Sequence, residues 1–160
     1  MRAFRITKRA FADLQGLGGR HADGRWHARP RRVVYLGSSL ALATLEILVN
    51  LDLTGHLLPR DMVAMGVDLP DDMTMTEVAR AALPADWRLK ERWPDCQAIG
   101  NAWLEAGGTA LLKVPSAVVP LEHNLLLNPL HPEAHRIPPP VVESFSLDPR
   151  ILALLDAAFG

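Results

Sequence analysis

Cysteine is all but missing from these 160 residues: Cys96 stands alone, which excludes an internal disulfide and a cysteine-based zinc site. A reducing compartment, the cytoplasm, is the expected setting. Neither sign of charge dominates, with 17 basic against 18 acidic residues, so neither direct nucleic-acid binding nor an acidic-membrane surface is expected. Long apolar runs are also lacking. Arg2, Arg5, Lys8 and Arg9 interrupt the first residues, so a secretory leader is not expected, and no stretch reaches the roughly 20 apolar residues a membrane-spanning helix needs. Familiar catalytic fingerprints are scarce. No Gly-x-Ser-x-Gly elbow occurs, and Gly16-Leu17-Gly18-Gly19 lacks the spacing and preceding strand of a phosphate or dinucleotide loop. His131 and His135 stand at i, i+4, but Pro132-Glu133 between them departs from the His-Glu-x-x-His pattern, so no metal site is expected.

What is present is a chain with 49% hydrophobic residues, enough for one domain over residues 1–160 with a substantial core. Met1 to Thr7 alternates loosely and reads as an edge strand, and Lys8 to Leu14 is helical in composition. A loop carrying His21, Arg25 and Trp26 leads through Pro30 into Val33-Val34-Tyr35-Leu36, a buried strand. Ser38 or Ser39 fits the N-cap of an apolar helix, Leu40 to Leu51. Met62 to Leu69 reads as a strand and Thr76 to Ala82 as a short helix, with Trp87 and Trp93 pinning a long connection. Gln97 to Ala106 reads as a helix closed by Gly107-Gly108. Strands at Thr109 to Val114, Asn124 to Leu127 and Val141 to Phe145 precede a helix, Arg150 to Phe159, opened by Asp148-Pro149. Strands outside strict β-α-β alternation indicate an α+β fold.

Two clusters place polar groups inside apolar sequence: Gly24-Arg25-Trp26 through Tyr35 to Glu46, and Val114-Pro115-Ser116 through Asn124. Buried polar groups require partners, so both clusters read as the rim of one cleft for a polar, anionic substrate. Glu46 needs the most explanation, because its helix is apolar almost all round. Helical spacing sets Ser39, Leu42, Ala43, Glu46 and Asn50 on one side, towards a cleft, while Leu40, Leu45, Ile47, Leu48 and Leu51 hold the core. A solvated glutamate on a half-exposed helix is the plainer alternative. Arg25 can form a fork to a phosphate or carboxylate, with the Trp26 indole shielding it, or can be a surface arginine stacked on that tryptophan. Tyr35, the one tyrosine, is either core with its hydroxyl satisfied or a platform for a flat ring. Ser116 is explained equally by a ligand contact and by turn chemistry.

The ordered set Phe4-Arg5-Ile6, Gly24-Arg25-Trp26, Val33 through Glu46, Gln97-Ala98-Ile99-Gly100, Trp103-Leu104, Val114 through Pro120, and Asn124 through Asn128-Pro129 to His131-Pro132 resembles the RES-domain toxins of bacterial RES-Xre toxin-antitoxin pairs. That family is named after arginine, glutamate and serine signatures, and the resemblance spans nearly the whole chain. It implies a fold similar to ADP-ribosyltransferases, a mixed β core with flanking helices. It also implies an activity that consumes NAD as a substrate, with no resident cofactor. The family's arginine, tyrosine, glutamate and serine carry onto Arg25, Tyr35, Glu46 and Ser116. Asn50 stands where relatives often show histidine, and Asn101 where an acidic residue is common.

Breaking the bond between nicotinamide and ribose builds positive charge on the sugar, as in glycoside cleavage, and a fixed carboxylate stabilises it. The expected roles are therefore Glu46 against that charge or holding a ribose hydroxyl, Arg25 on the diphosphate, and Tyr35 on the nicotinamide ring. Ser116 and Asn124 would orient the ribose, with Ser38 and Asn50 as further substrate contacts. The acceptor is open among water, phosphate and a protein side chain. The resemblance further implies a cognate Xre-like antitoxin and a symmetric assembly with it. The contrasting possibility is a non-catalytic interaction module that binds a helix-turn-helix partner through Arg150 to Phe159 and the tryptophans.

Overall fold

Among the described residues, short runs rich in Val, Leu and Met form seven strands, because extended backbone lets alternate side chains leave water on opposite faces of one sheet. In chain order they are β1 (Arg2–Lys8), β2 (Val34–Gly37), β3 (Met62–Asp68), β4 (Met75–Glu77), β5 (Leu111–Pro115), β6 (His123–Leu127) and β7 (Val141–Ser144). Three helices, α1 (Leu40–Asn50), α2 (Trp93–Ala106) and α3 (Pro149–Phe159), complete the regular elements of the computed structural model, which describes residues 1–50 and 61–159. The strand order is β4-β5-β6-β2-β1-β3-β7, parallel at β4–β5 and antiparallel at every other pair. This mixed sheet with flanking helices is the expected α+β class. Among the described residues no helix is long and apolar enough to cross a membrane.

The two faces of the sheet bury different things. Ala3, Val34, Leu36, Val63, Met65, Val67, Leu111, Leu125 and Leu127 point one way into a single cluster. On the other face Leu112, Val114 and Leu126 pack with Trp26, Trp87, Cys96 and Trp103, while Ile6 and Met62 pack with Ala43 of α1. Both α1 and α2 therefore cover the same face. α1 lies over β1 and β2, and α2 with the tryptophan loops lies over β5 and β6. The seam between them opens onto the ends of β2, β5 and β6.

Local chemistry placed most element ends correctly. Ser39 Oγ accepts the Leu42 N–H at 3.0 Å and caps α1. Gly107, at φ 58°, closes α2, its N–H donating to the Trp103 carbonyl. Asp148 Oδ1 accepts the Arg150 N–H at 2.8 Å and opens α3. α2 starts at Trp93, earlier than expected, because Pro94 sits in the first turn where its missing N–H has no helical partner to lose. The expected last residue of α1, Leu51, lies outside the described residues.

Three expectations are corrected. β1 is not an edge strand: it lies between β2 and β3, with Ala3 buried on one face and Ile6 on the other. Loose alternation does not reveal that both faces are covered. Lys8 to Leu14 forms no helix, only one tight turn at Arg9–Phe11, and the Arg5 guanidinium donates across it to the Asp13 carbonyl at 2.9 Å. Thr76 to Ala82 is not a helix either. Its first residues belong to β4, and a single turn follows at Arg80–Ala82, because the free edge of β5 offers hydrogen bonds that local propensity cannot register.

Candidate active site

Glu46 sits where the buried stripe of α1 meets the seam. Leu42 and Ala43 are buried and Ile47 packs beside Ala43, while Leu40 and Leu45 are exposed. The expected assignment of this helix is thus partly reversed: Leu42 and Ala43 serve the core and Leu40 and Leu45 face solvent. The cause is that α1 rests on β1 and β2 through its Leu42–Ala43 edge. Glu46, next along that edge, is left half-buried beside the ends of β5 and β6.

One carboxylate oxygen is held firmly. Glu46 Oε1 accepts from Asn124 Nδ2 at 2.6 Å and from the Ser116 hydroxyl at 3.0 Å. Asn124 is placed by register, opposite Gly37 on β2 and Val114 on β5. Ser116 follows the last residue of β5 and is 4% exposed. Its oxygen accepts the N–H groups of Val118 and Val119, each at 3.0 Å, which leaves its own proton to donate to Glu46. Turn chemistry and the carboxylate contact are therefore one arrangement rather than alternatives. Among the described residues no donor lies on Glu46 Oε2.

Arg25 comes from the loop before β2. Its guanidinium donates to the Trp87 carbonyl at 3.0 Å and lies 5.6 Å from the Trp87 ring centre and 5.5 Å from that of Trp93. Trp26, expected to be its shield, is turned into the core at 2% exposure and packs against Trp87 instead. Burial pulls the Arg25 pKa below its ordinary value, and the Cys96 thiol, the Glu46 carboxylate and the Tyr35 hydroxyl nearby act the other way. The group stays charged in any case. Arg25, Tyr35 and Glu46 thus share one electrostatic neighbourhood, although they are distant in the chain.

Tyr35 has its hydroxyl satisfied: it accepts the Trp26 N–H at 3.1 Å and lies 2.9 Å from His27 Nδ1. Burial pushes its pKa far above the usual phenol value, so it stays protonated. The loop it holds passes very close, since a Cβ on Gly24 would stand 2.6 Å from this hydroxyl. The rest of that loop is clamped by α2. Gln97 Nε2 donates to the Gly24 carbonyl at 2.9 Å, and Asn101 Oδ1 accepts the Ala28 N–H at 3.0 Å. Between them a Cβ on Gly100 would come within 1.8 Å of the Trp26 carbonyl oxygen. Asn101 needs only an acceptor here, a role a carboxylate also fills.

Two expected contacts lie apart. Asn50 is exposed and turns its amide back to the Glu46 backbone carbonyl at 2.8 Å, away from the carboxylate. Ser38 contributes its backbone N–H to the His123 carbonyl at 3.3 Å, and its hydroxyl has no partner among the described residues. Trp87, Trp93, Gln97 and His27 were not singled out as site residues. The Gln97-Ala98-Ile99-Gly100-Asn101 spacing, which sets a glycine between two amides on one helical face, is the signal for Gln97. Beyond Ser116 lies a cavity of about 240 Å³ lined by Arg80, Arg88, Lys113 and His123, sharing Ser116 and Trp87 with the Glu46 seam. Arg25, Tyr35 and Glu46 influence one another electrostatically at the seam, and none of them lines this cavity.

Comparison with known proteins completes the description. Residues 2–150 match the family described as the RES domain. The chain is 38% identical over 142 residues to a protein of Sphingobium sp. (strain YBL2) named "Prs ADP-ribosylating toxin", covering 88% of this chain and 87% of that one. It is 37% identical over 142 residues to "Toxin Res" of Pseudomonas putida, covering 89% and 94% respectively. Among solved structures it is similar in fold to a chain of the M. tuberculosis MbcT-MbcA toxin-antitoxin complex. That likeness has a TM-score of 0.70 at 20% identity, over 98% of this chain and 88% of the other.

Proposed function

This chain belongs to the RES domain family, and from that premise and the geometry of the seam we propose that it is the toxin of a toxin-antitoxin pair that consumes NAD by cleaving the nicotinamide-ribose bond. The observation that carries the reading is the Glu46 carboxylate. One of its oxygens is fixed by Asn124 and Ser116 while the other meets no donor among the described residues, and a guanidinium beside two tryptophans is close enough to feel its charge. A carboxylate held in this way is prepaid in orientation, so it stabilises a sugar cation without reorganising when the bond breaks.

Each side chain then has a part. Glu46 faces the positive charge that grows on the ribose as nicotinamide leaves, or accepts from a ribose hydroxyl. Ser116 and Asn124 hold Glu46 and stand beside the same sugar. Arg25 offers its fork to the diphosphate, and the flanking indoles strengthen that charge by keeping water away. The Tyr35 ring forms a floor for the nicotinamide, while its hydroxyl secures the Arg25 loop. Bond cleavage is common to hydrolysis, phosphorolysis and transfer to a protein side chain; the acceptor that captures the ribosyl cation distinguishes the three products. NAD is the substrate, and no resident cofactor takes part. The name of the Sphingobium relative supports protein transfer as one of the three.

The likeness to a chain from a toxin-antitoxin complex supports an antitoxin partner here as well. We assign that partner to the Xre-like class, covering the seam within a symmetric assembly in the cytoplasm. A time course of NAD with purified protein, with Glu46→Gln as control, tests the reading. Loss of NAD with release of nicotinamide by the parental protein alone supports it; NAD left intact by both overturns it.

A further inference from the structure

Resting on the proposed NAD reading, we infer that His27 is a positioning residue, whose neutral imidazole joins Ala22 to Tyr35 and so holds the Arg25 loop over the cleft. The tautomer follows from the partners. Ala22 O, 3.1 Å from Nε2, can only accept, so Nε2 carries the proton. Tyr35 already accepts the Trp26 N–H, so its own hydroxyl proton is free to donate to Nδ1 at 2.9 Å. The ring is 4% exposed and fits against the loop backbone, where a Cβ on Gly24 would stand 2.8 Å from Nδ1. Backbone bonds between Gly24 and His27, 3.0 Å and 3.4 Å, close the turn that carries Arg25 at its tip. Of these contacts, the one between Nδ1 and the Tyr35 hydroxyl is suited to the neutral ring and unsuited to the imidazolium.

Acid should open the lock. A second proton on Nδ1 turns an acceptor into a donor aimed at a hydroxyl that must itself donate elsewhere. Burial holds the imidazole below its ordinary 6.5, while the Gly19 and Ala22 backbone beside it, Ala22 through its hydrogen-bonded carbonyl, acts the other way. The charged groups that face it are Asp23, which favours the proton, and Arg31, which opposes it. With the folded value depressed, the contribution of the lock is complete above about 6.5 and declines as the pH falls towards the folded value.

The test compares wild type, His27→Phe, His27→Asn and Tyr35→Phe. Two readouts are used: NAD kinetics across pH, and amide hydrogen exchange at Gly24 and Trp26. The expected result is a KM for NAD raised about tenfold in His27→Phe and Tyr35→Phe with kcat changed by less than about threefold, as for a lost ground-state clamp. His27→Asn, which keeps an acceptor towards Tyr35, recovers part of the loss. Wild type shows a KM that climbs on the acid side of the ordinary imidazole range, as the pH approaches the depressed folded value, and His27→Asn lacks that limb. Trp26 exchange speeds up in His27→Phe and Tyr35→Phe. Unchanged KM and unchanged Trp26 protection in His27→Phe overturn the inference. If His27→Phe does not fold, the wild-type pH profile and His27→Asn decide. If wild type consumes no NAD, the proposed function fails, and Trp26 exchange in His27→Phe and His27→Asn still decides whether the lock exists.

Discussion

The Asn124 amide donates to Glu46 Oε1 at 2.6 Å across 78 positions of sequence, tying the start of β6 to the middle of α1. With Ser116 on the same oxygen, the carboxylate has one aim. Glu46→Gln keeps the size of the side chain and removes its charge, so NAD consumption should fall by about 10²–10³-fold, the usual cost of losing one preorganised electrostatic group. Thermal unfolding should stay near the parental value, which separates a lost charge from a lost fold.

Ser116→Ala removes a donor to Glu46 and the acceptor shared by Val118 and Val119. These N–H groups are part-buried, and leaving them without a partner costs about 1 kcal/mol, so both stability and turnover should drop. Chemical denaturation together with NAD kinetics checks this. A loss of turnover at unchanged stability would contradict the shared role of that hydroxyl.

Arg25→Lys keeps the positive charge but gives up the planar fork and the stacking between Trp87 and Trp93. The KM for NAD should rise by about tenfold, the equivalent of one charge-assisted hydrogen bond of about 1.4 kcal/mol. Steady-state kinetics over a range of NAD concentrations reads it directly.

Trp93 has a buried indole N–H with no acceptor among the described residues. Trp93→Phe deletes that orphan donor and keeps an aromatic face for Arg25. The variant should be as stable as the parent, or more stable by about 1 kcal/mol. Thermal unfolding measured by circular dichroism decides it.

Gly100→Ala drives a methyl into the Trp26 carbonyl, at 1.8 Å from its oxygen, where backbone cannot move aside cheaply. Destabilisation of about 3 kcal/mol or more is expected, the upper range for overpacking, together with loss of the Arg25 loop geometry. Gly108→Ala, which meets nothing within 4 Å, is the control and should sit near the parental stability.

Acid should also loosen the far edge of the sheet. Glu133 accepts both the N–H and the hydroxyl of Thr74, and these bonds hold its carboxyl below the ordinary 4.5. A depressed carboxylate stabilises the fold above the unfolded value and loses that contribution as the pH falls through the folded one. Amide exchange at Thr74, faster near pH 3 than at pH 6 after correction for intrinsic rates, is the expected result.

Local sequence made much of this molecule legible. The Val33-Val34-Tyr35-Leu36 run, the serine before α1, the glycine after α2 and Asp148 before α3 each carry their structural reason within a few residues, and each element formed near its expected place. Arg25, Glu46, Ser116 and Asn124 stand out as polar side chains in apolar sequence, costly without partners, but their local sequence leaves plainer readings open and it is the resemblance to the RES-domain toxins that implies a site for Arg25, Glu46 and Ser116. Their ranking could not be completed. Nothing near Asn50 says that its amide will fold back on α1, and nothing near Trp93 says that its ring will flank Arg25.

Composition and short-range pattern by themselves determined the α+β class, most element boundaries, the exclusion of a disulfide within these 160 residues, and the ordered motifs that mark the RES domain family. Only the tertiary structure decided which oxygen of Glu46 is held, which indoles lie beside Arg25, where β1 lies in the sheet and which groups the His27 ring meets. The division has a physical cause. Caps, turns and periodicity are settled among residues a few positions apart, whereas strand neighbours and hydrogen bonds spanning 70 or more positions exist only once the sheet has brought its segments together.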